Sequence, residues 1–179
     1  METKPGTGNR ELRAAPLEQK PVSPYKRDTM AMDYKWTARV RWVSDMQAAV
    51  YTRNNTFAVG QPASFRDRDP HPSAVELLLG ALGGDLVNGM GALAKQRGLT
   101  IDDMELALSG TLANVLVTVG VIGETGDPHF TDISGTLYVS SDSDEAALQE
   151  AWAEALKRSP IANTLKYAAT ISIELRVAT

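Results

Sequence analysis

The sequence predicts an α+β fold from three observations. Short segments with period-two alternation flank one long glycine-rich helix, and a second, amphipathic helix precedes a closing strand. At 179 residues the chain is long enough for one well-buried core and short for two, so residues 34–179 are read as a single domain. Residues 1–33 are rich in Pro, Gly and mixed charge and show neither period, which predicts a flexible N-terminal tail; the alternative is an arm that wraps a partner subunit.

The first segment, Lys35 to Val43, alternates apolar Trp36, Ala38, Val40 and Trp42 with Lys35, Thr37, Arg39 and Arg41, the pattern of a half-buried strand. Ala48 to Thr52 and Thr56 to Val59 repeat it around Asn54 and Asn55, which tolerate positive φ, so an antiparallel meander is expected. A loop stiffened by Pro62, Pro70 and Pro72 delivers the chain to the central helix, Pro72 to Gly98. Ser73 and Glu76 form an S-x-x-E capping box, while Lys95, Arg97 and Gly98 supply a basic last turn and a stop. Gly80, Gly83, Gly84, Gly89 and Gly91 lie inside this helix, each costing about 1 kcal/mol relative to alanine. Close approach of another backbone, such as a second copy of the same helix, would offset that cost.

Three further strands are expected at Asp103 to Leu108, Ala113 to Val121 and Asp132 to Ser140, punctuated by Ser109-Gly110 and by Gly123 to Pro128. Asp142 and Glu145 read as the D-x-x-E start of an amphipathic helix through Lys157. Pro160 stops or kinks it by disfavouring the α conformation at Ser159. A short turn, Ile161 to Leu165, then leads into a last strand, Ala169 to Val177.

A hydrophobic content of 43%, a charged content of 22% and a formal net charge of -4 offer no attraction to nucleic acid or an anionic membrane, so neither is expected as a partner. No apolar run reaches the roughly 20 residues of a membrane span and no secretory core opens the chain, so a cytoplasmic location is expected. The cysteine count of zero excludes disulfides, thiolate catalysis and cysteine-based metal sites together. His71 and His129 do not combine with Asp85 into a metal-ligand spacing; no metal and no cofactor are implied.

The run VELLLGALGGD, Val75 to Asp85, resembles the helix of the OsmC/Ohr family of osmotically inducible and organic hydroperoxide resistance proteins. That family follows a Glu-Leu-Leu run with small residues and a cysteine nine residues after the glutamate, the position of Asp85 counted from Glu76. KRSPI, Lys157 to Ile161, is similar to the family's second motif, a basic residue before Cys-Pro-Val or Cys-Pro-Ile, with Ser159 in the cysteine's place. The resemblance implies antiparallel sheets wrapped around a pair of long central helices in an intertwined homodimer, with two sites where the subunits meet. In active members, it further implies, the helix cysteine attacks an organic hydroperoxide and the second cysteine resolves the sulfenic acid, assisted by an arginine and a glutamate. A carboxylate and an alcohol cannot run that sulfur cycle, so the activity is expected to be absent here. No motif matches the assisting arginine, for which Arg39, Arg41 and Arg53 are nearby candidates. The assisting glutamate falls beside Val75, next to Glu76 rather than on it.

Asp85 is the leading site residue, because an unpaired carboxylate on a buried helix is costly. It is either functional or satisfied by backbone or by Asn88, one turn on. Glu76 lies about two and a half turns away and points to the opposite side, so capping is its plain role. Ser159 has no Ser-His-Asp setting and reads otherwise as a helix-end serine. Trp36, Trp42, Trp152, Phe57 and Phe65 suit either an apolar pocket or the core. Two functions follow: a redox-inactive member that binds a small, partly apolar molecule at the dimer interface, or an enzyme of a non-redox class with Asp85 as general acid or base. A cysteine-free variant of an organic hydroperoxide peroxidase is the third reading.

Overall fold

A computed structural model describes residues 34–44, 46–61 and 69–178; the expected tail, Pro62 and Phe65 lie outside them. Residues 37–179 form one compact unit, and of the stretch before it only Tyr34 to Trp36 is described, with the Tyr34 and Trp36 rings 5.1 Å apart. The elements in chain order are β1 (Arg39–Ser44), β2 (Gln47–Thr52), β3 (Asn55–Val59), α1 (Ala74–Arg97), β4 (Asp103–Ala113), α2 (Val115–Thr118), β5 (His129–Ser140), α3 (Glu145–Arg158), α4 (Pro160–Leu165) and β6 (Thr170–Ala178).

The first three strands form the expected antiparallel meander, β1-β2-β3. Its hairpin turn is Arg53-Asn54, and Arg53 rather than an asparagine takes the positive φ of 50°. The register places Val40, Val50 and Phe57 side by side, with Trp42, Ala48 and Val59 in the next row, so one face is continuously apolar. On β2 that face is partly buried, but β1 is not half-buried as its alternation predicted. Every residue of β1 is exposed, Val40 at 62% and Trp42 at 70%; among the described residues no helix packs extensively across it.

Helix α1 starts and stops where the sequence placed it. The Ser73 hydroxyl accepts from the Glu76 amide while the Glu76 carboxylate accepts from the Ser73 amide, and Gly98 closes the helix in the left-handed region at φ 71°. Leu82, Leu86, Met90, Leu93 and Ala94 are buried, a stripe at helical spacing against β4 and α3. The opposite face, with Ala81, Gly84, Asn88 and Ala92, is exposed. Contrary to the expectation, α1 is long and apolar enough to cross a membrane, because between Glu76 and Lys95 its only charge is Asp85. Its buried stripe belongs to the protein's own core.

The second sheet has the order β4-β5-β6 and is mixed, not antiparallel throughout: β4 pairs antiparallel with β5, and β5 pairs parallel with β6. The parallel pair follows from the crossover through α3 and α4. Met104, Leu106, Leu108, Ile133, Leu137, Val139, Ile173 and Leu175 face the helices. Two strands stand where three were expected. Ser109-Gly110 is strand interior, and Gly110 makes room for a ring: a Cβ there would lie 2.5 Å from Phe130 Cε1. The expected strand Ala113 to Val121 ends at its first residue. Asn114 turns left-handed at φ 51°, and since β5 begins opposite Ala113, the following valines have no strand to pair with and form α2.

The cap of helix α3 lies two residues beyond the expected one, at Asp144 rather than Asp142, with the Asp144 carboxylate accepting from the Ala147 amide at 3.0 Å. Leu148, Ala151, Trp152 and Ala155 are its buried face, and the Trp152 indole donates to the Ile173 carbonyl at 3.4 Å, tying it to β6. The expected turn Ile161 to Leu165 is a short helix, α4, with Pro160 at its first position, where the missing N–H costs nothing.

Candidate functional site

Asp85 sits on α1 at the level of Leu82 and Leu86, one residue off the buried stripe and half-buried. Opposite it, the chain turns from α3 to α4 at Ser159, which is 4% exposed. Ser159 takes an extended conformation, φ −63° and ψ 116°, as a residue before proline does. It therefore closes α3, its amide donating to the Ala155 carbonyl at 3.0 Å, and caps α4, its hydroxyl accepting from the Ala162 amide at 2.9 Å.

The same hydroxyl donates to Asp85 Oδ2, and the Ile161 amide donates to that oxygen at 3.4 Å. Two residues far apart in sequence are thus joined side chain to side chain. Of the two partners expected for Asp85, backbone and Asn88, the Ile161 amide is backbone, while Asn88 makes no such bond among the described residues. With one proton on Ser159 Oγ, and that proton directed to Asp85, the serine is no free nucleophile.

Beside this pair lies a cavity of about 200 Å³ lined by Asp85, Gly89, Ala92, Leu93, Gln96, Ala155, Arg158 and Ser159. Its α1 side, Asp85, Gly89, Ala92 or Leu93, and Gln96, follows one face of the helix at i, i+4, i+7 or i+8 and i+11. Counting those intervals from Asp85 would have found Gln96 and Ala92 in the sequence. Arg158, the basic residue before Ser159 in KRSPI, also lines the cavity, a role its place in the motif does not imply. Its Nε donates to Glu154 Oε1 at 2.6 Å, and this bond holds the Glu154 carboxyl below the usual carboxylate range.

The remaining sequence candidates lie elsewhere in the chain. Glu76 is engaged in the α1 cap, and the Ser73 backbone N–H, then its hydroxyl, hold the Glu76 carboxyl below its ordinary range. Arg39 stacks over the Tyr51 ring, 4.7 Å from its centroid, and Arg41 and Arg53 share its sheet. None of these lines the Asp85 cavity within one chain. Trp152 is core, whereas Trp42 and Phe57 are exposed. His71 lies 3.1 Å from the Gln47 amide nitrogen and His129 lies 2.7 Å from the Asp127 carbonyl. Among the described residues no three His, Asp or Glu side chains gather as a metal site would require.

The sequence profile described as OsmC-like protein matches residues 67–174, which includes α1, the Asp85–Ser159 pair and most of the second sheet. The chain belongs to the OsmC-like family. Its fold agrees with an OsmC-like protein of Mycoplasma pneumoniae, 17% identical, at a TM-score of 0.67, covering 83% of this chain and 100% of that one. A hypothetical protein of Aquifex aeolicus, 14% identical, gives a TM-score of 0.67 over 82% of this chain and 98% of that one. The organic hydroperoxide resistance protein OsmC of Legionella pneumophila, 9% identical, gives 0.59 over 81% and 98%. No curated protein sequence matches. At these identities the solved structures speak for the fold, and this OsmC-like chain differs from any thiol enzyme in having no cysteine.

Proposed function

We propose that this protein is an OsmC-like homodimer that has lost thiol hydroperoxide chemistry and binds a small, partly apolar molecule in the cavity beside Asp85 and Ser159. The observation that carries the reading is the contact between these two side chains. They occupy the positions that the family resemblance gives to a reacting and a resolving cysteine, and their contact is what such a pair would require. In this chain the contact holds a carboxylate and a capping hydroxyl, so the cavity keeps its shape without a redox centre.

The dimer is supported by two features of the single chain. Val40, Trp42 and Phe57 on the apolar face of the first sheet are exposed, and on α1 nothing among the described residues outside the helix's own backbone comes within 4 Å of a Cβ placed at Gly80 or Gly84. Both suit a second copy of this chain, and a cytoplasmic location suits its charge and composition. The general acid or base reading of Asp85 has weaker support, because Oδ2 is already taken by two donors.

Native mass spectrometry of freshly purified protein tests this reading. The expected spectrum is a dimer carrying extra mass that dissociates on activation, and the protein should not consume cumene hydroperoxide with a dithiol reductant. Turnover above a protein-free blank would sink the loss of chemistry.

A further inference from the structure

We infer that the cavity beside Asp85 selects a small amine, whose ammonium head meets the Asp85 carboxylate while a short hydrocarbon body lies on Gly89, Ala92, Leu93 and Ala155. This rests on the reading of the cavity as a binding site and names the chemistry it prefers.

The two oxygens of Asp85 are not equivalent. Oδ2 accepts from the Ser159 hydroxyl and the Ile161 amide, whereas Oδ1 accepts no hydrogen bond among the described residues. Nor is Oδ1 sealed off, since the one unpartnered buried side-chain atom among those residues is the Thr118 hydroxyl. Ser159 has nothing left to donate: its proton goes to Asp85, and its oxygen accepts from Ala162. The fixed pair at the cavity therefore offers an incoming group an acceptor and no donor.

The charge agrees. Asp85 is the one carboxylate on the lining, and Arg158, the one cation there, is turned through its Nε to Glu154, which Lys157 also approaches at 3.8 Å. An ammonium brings donors and the opposite charge to Oδ1; a carboxylate brings neither. At about 200 Å³ the cavity is below the roughly 300–1,000 Å³ of drug-sized sites, which limits the body to a short chain or one small ring lying on Gly89, Ala92, Leu93 and Ala155, with Gln96 and Arg158 also on the lining.

The test compares n-hexylamine, 1-hexanol and hexanoate against the full chain by ligand-detected NMR titration. Hexylamine should bind on the order of tenfold or more tightly than either analogue, as expected of a charge-assisted bond. Its binding should be lost in Asp85→Asn, and also in Ala92→Phe, which fills the cavity from α1 without altering the carboxylate and is compared with wild type at the same oligomeric state, checked by sedimentation. If Asp85→Asn fails to fold by circular dichroism, Ala92→Phe and the three-probe comparison carry the decision. Hexanol or hexanoate binding as tightly as hexylamine, and abolished by Ala92→Phe, would overturn the amine class and leave a binding cavity standing. Binding of none of the three, or amine binding indifferent to Ala92→Phe, would overturn the cavity as a site along with its chemistry.

Discussion

Asp85, Ser159 and Glu76 show what a single side chain does when its partners are counted. The cost of a carboxylate on an apolar helix singled out Asp85 from the sequence, yet its partner was not the neighbour one turn away. It was a serine brought from another helix, which no local spacing could reveal. Glu76 behaves as its S-x-x-E spacing says, because a capping box is closed within four residues of chain. Ser73→Ala should cost about 1 kcal/mol of stability, the usual loss of an N-cap, measured by urea unfolding at neutral pH. The Glu76 share of that deficit has a definite pH dependence. Its native pKa lies below the unfolded one, so its contribution is complete above the ordinary carboxylate range and falls away as pH drops through the lowered native value. The deficit in Ser73→Ala should therefore narrow on acidification, and a deficit that widened would contradict the role assigned to the Ser73–Glu76 pair.

At the scale of elements, period and punctuation located most of the strands and helices, and they failed where a glycine or a β-branched run had its meaning set by neighbours. Gly110 looks like a turn residue in sequence but sits in the middle of β4, where it makes room for the Phe130 ring. Gly110→Val should be destabilising by roughly 1–3 kcal/mol through overpacking, with Phe130→Leu restoring part of the loss. Thermal unfolding of the two single variants and the double variant checks this, and additive effects would contradict the contact. Val115 to Val119 makes the complementary point. Its side chains favour a strand, but a strand needs a partner, and β5 has begun opposite Ala113.

The whole molecule presents one covered surface and one uncovered. The second sheet is closed over by α1 and α3, while among the described residues nothing covers Val40 and Trp42 of the first sheet or the Gly80 and Gly84 positions of α1. If a second copy supplies that cover, sedimentation should show a dimer at micromolar concentration, and Gly84→Leu, whose Cβ meets nothing within 4 Å among the described residues, should shift it towards monomer. A wild-type monomer would remove the cover we assign to Val40 and Trp42. Much of this protein was determined by sequence alone: the helix from Ser73 to Gly98, the meander before it, the break at Pro160 and the absence of cysteine. Those features depend on residues near one another in the chain, or on composition, and local sterics and hydrogen bonding suffice to fix them. The tertiary structure decided what depends on distant segments meeting: the parallel pairing of β6 with β5, the space Gly110 leaves for Phe130, and the Asp85–Ser159 bond with its cavity. These arise because burial of the α1 stripe against β4 and α3 fixes where the α3–α4 turn falls, and that position cannot be read from either segment alone.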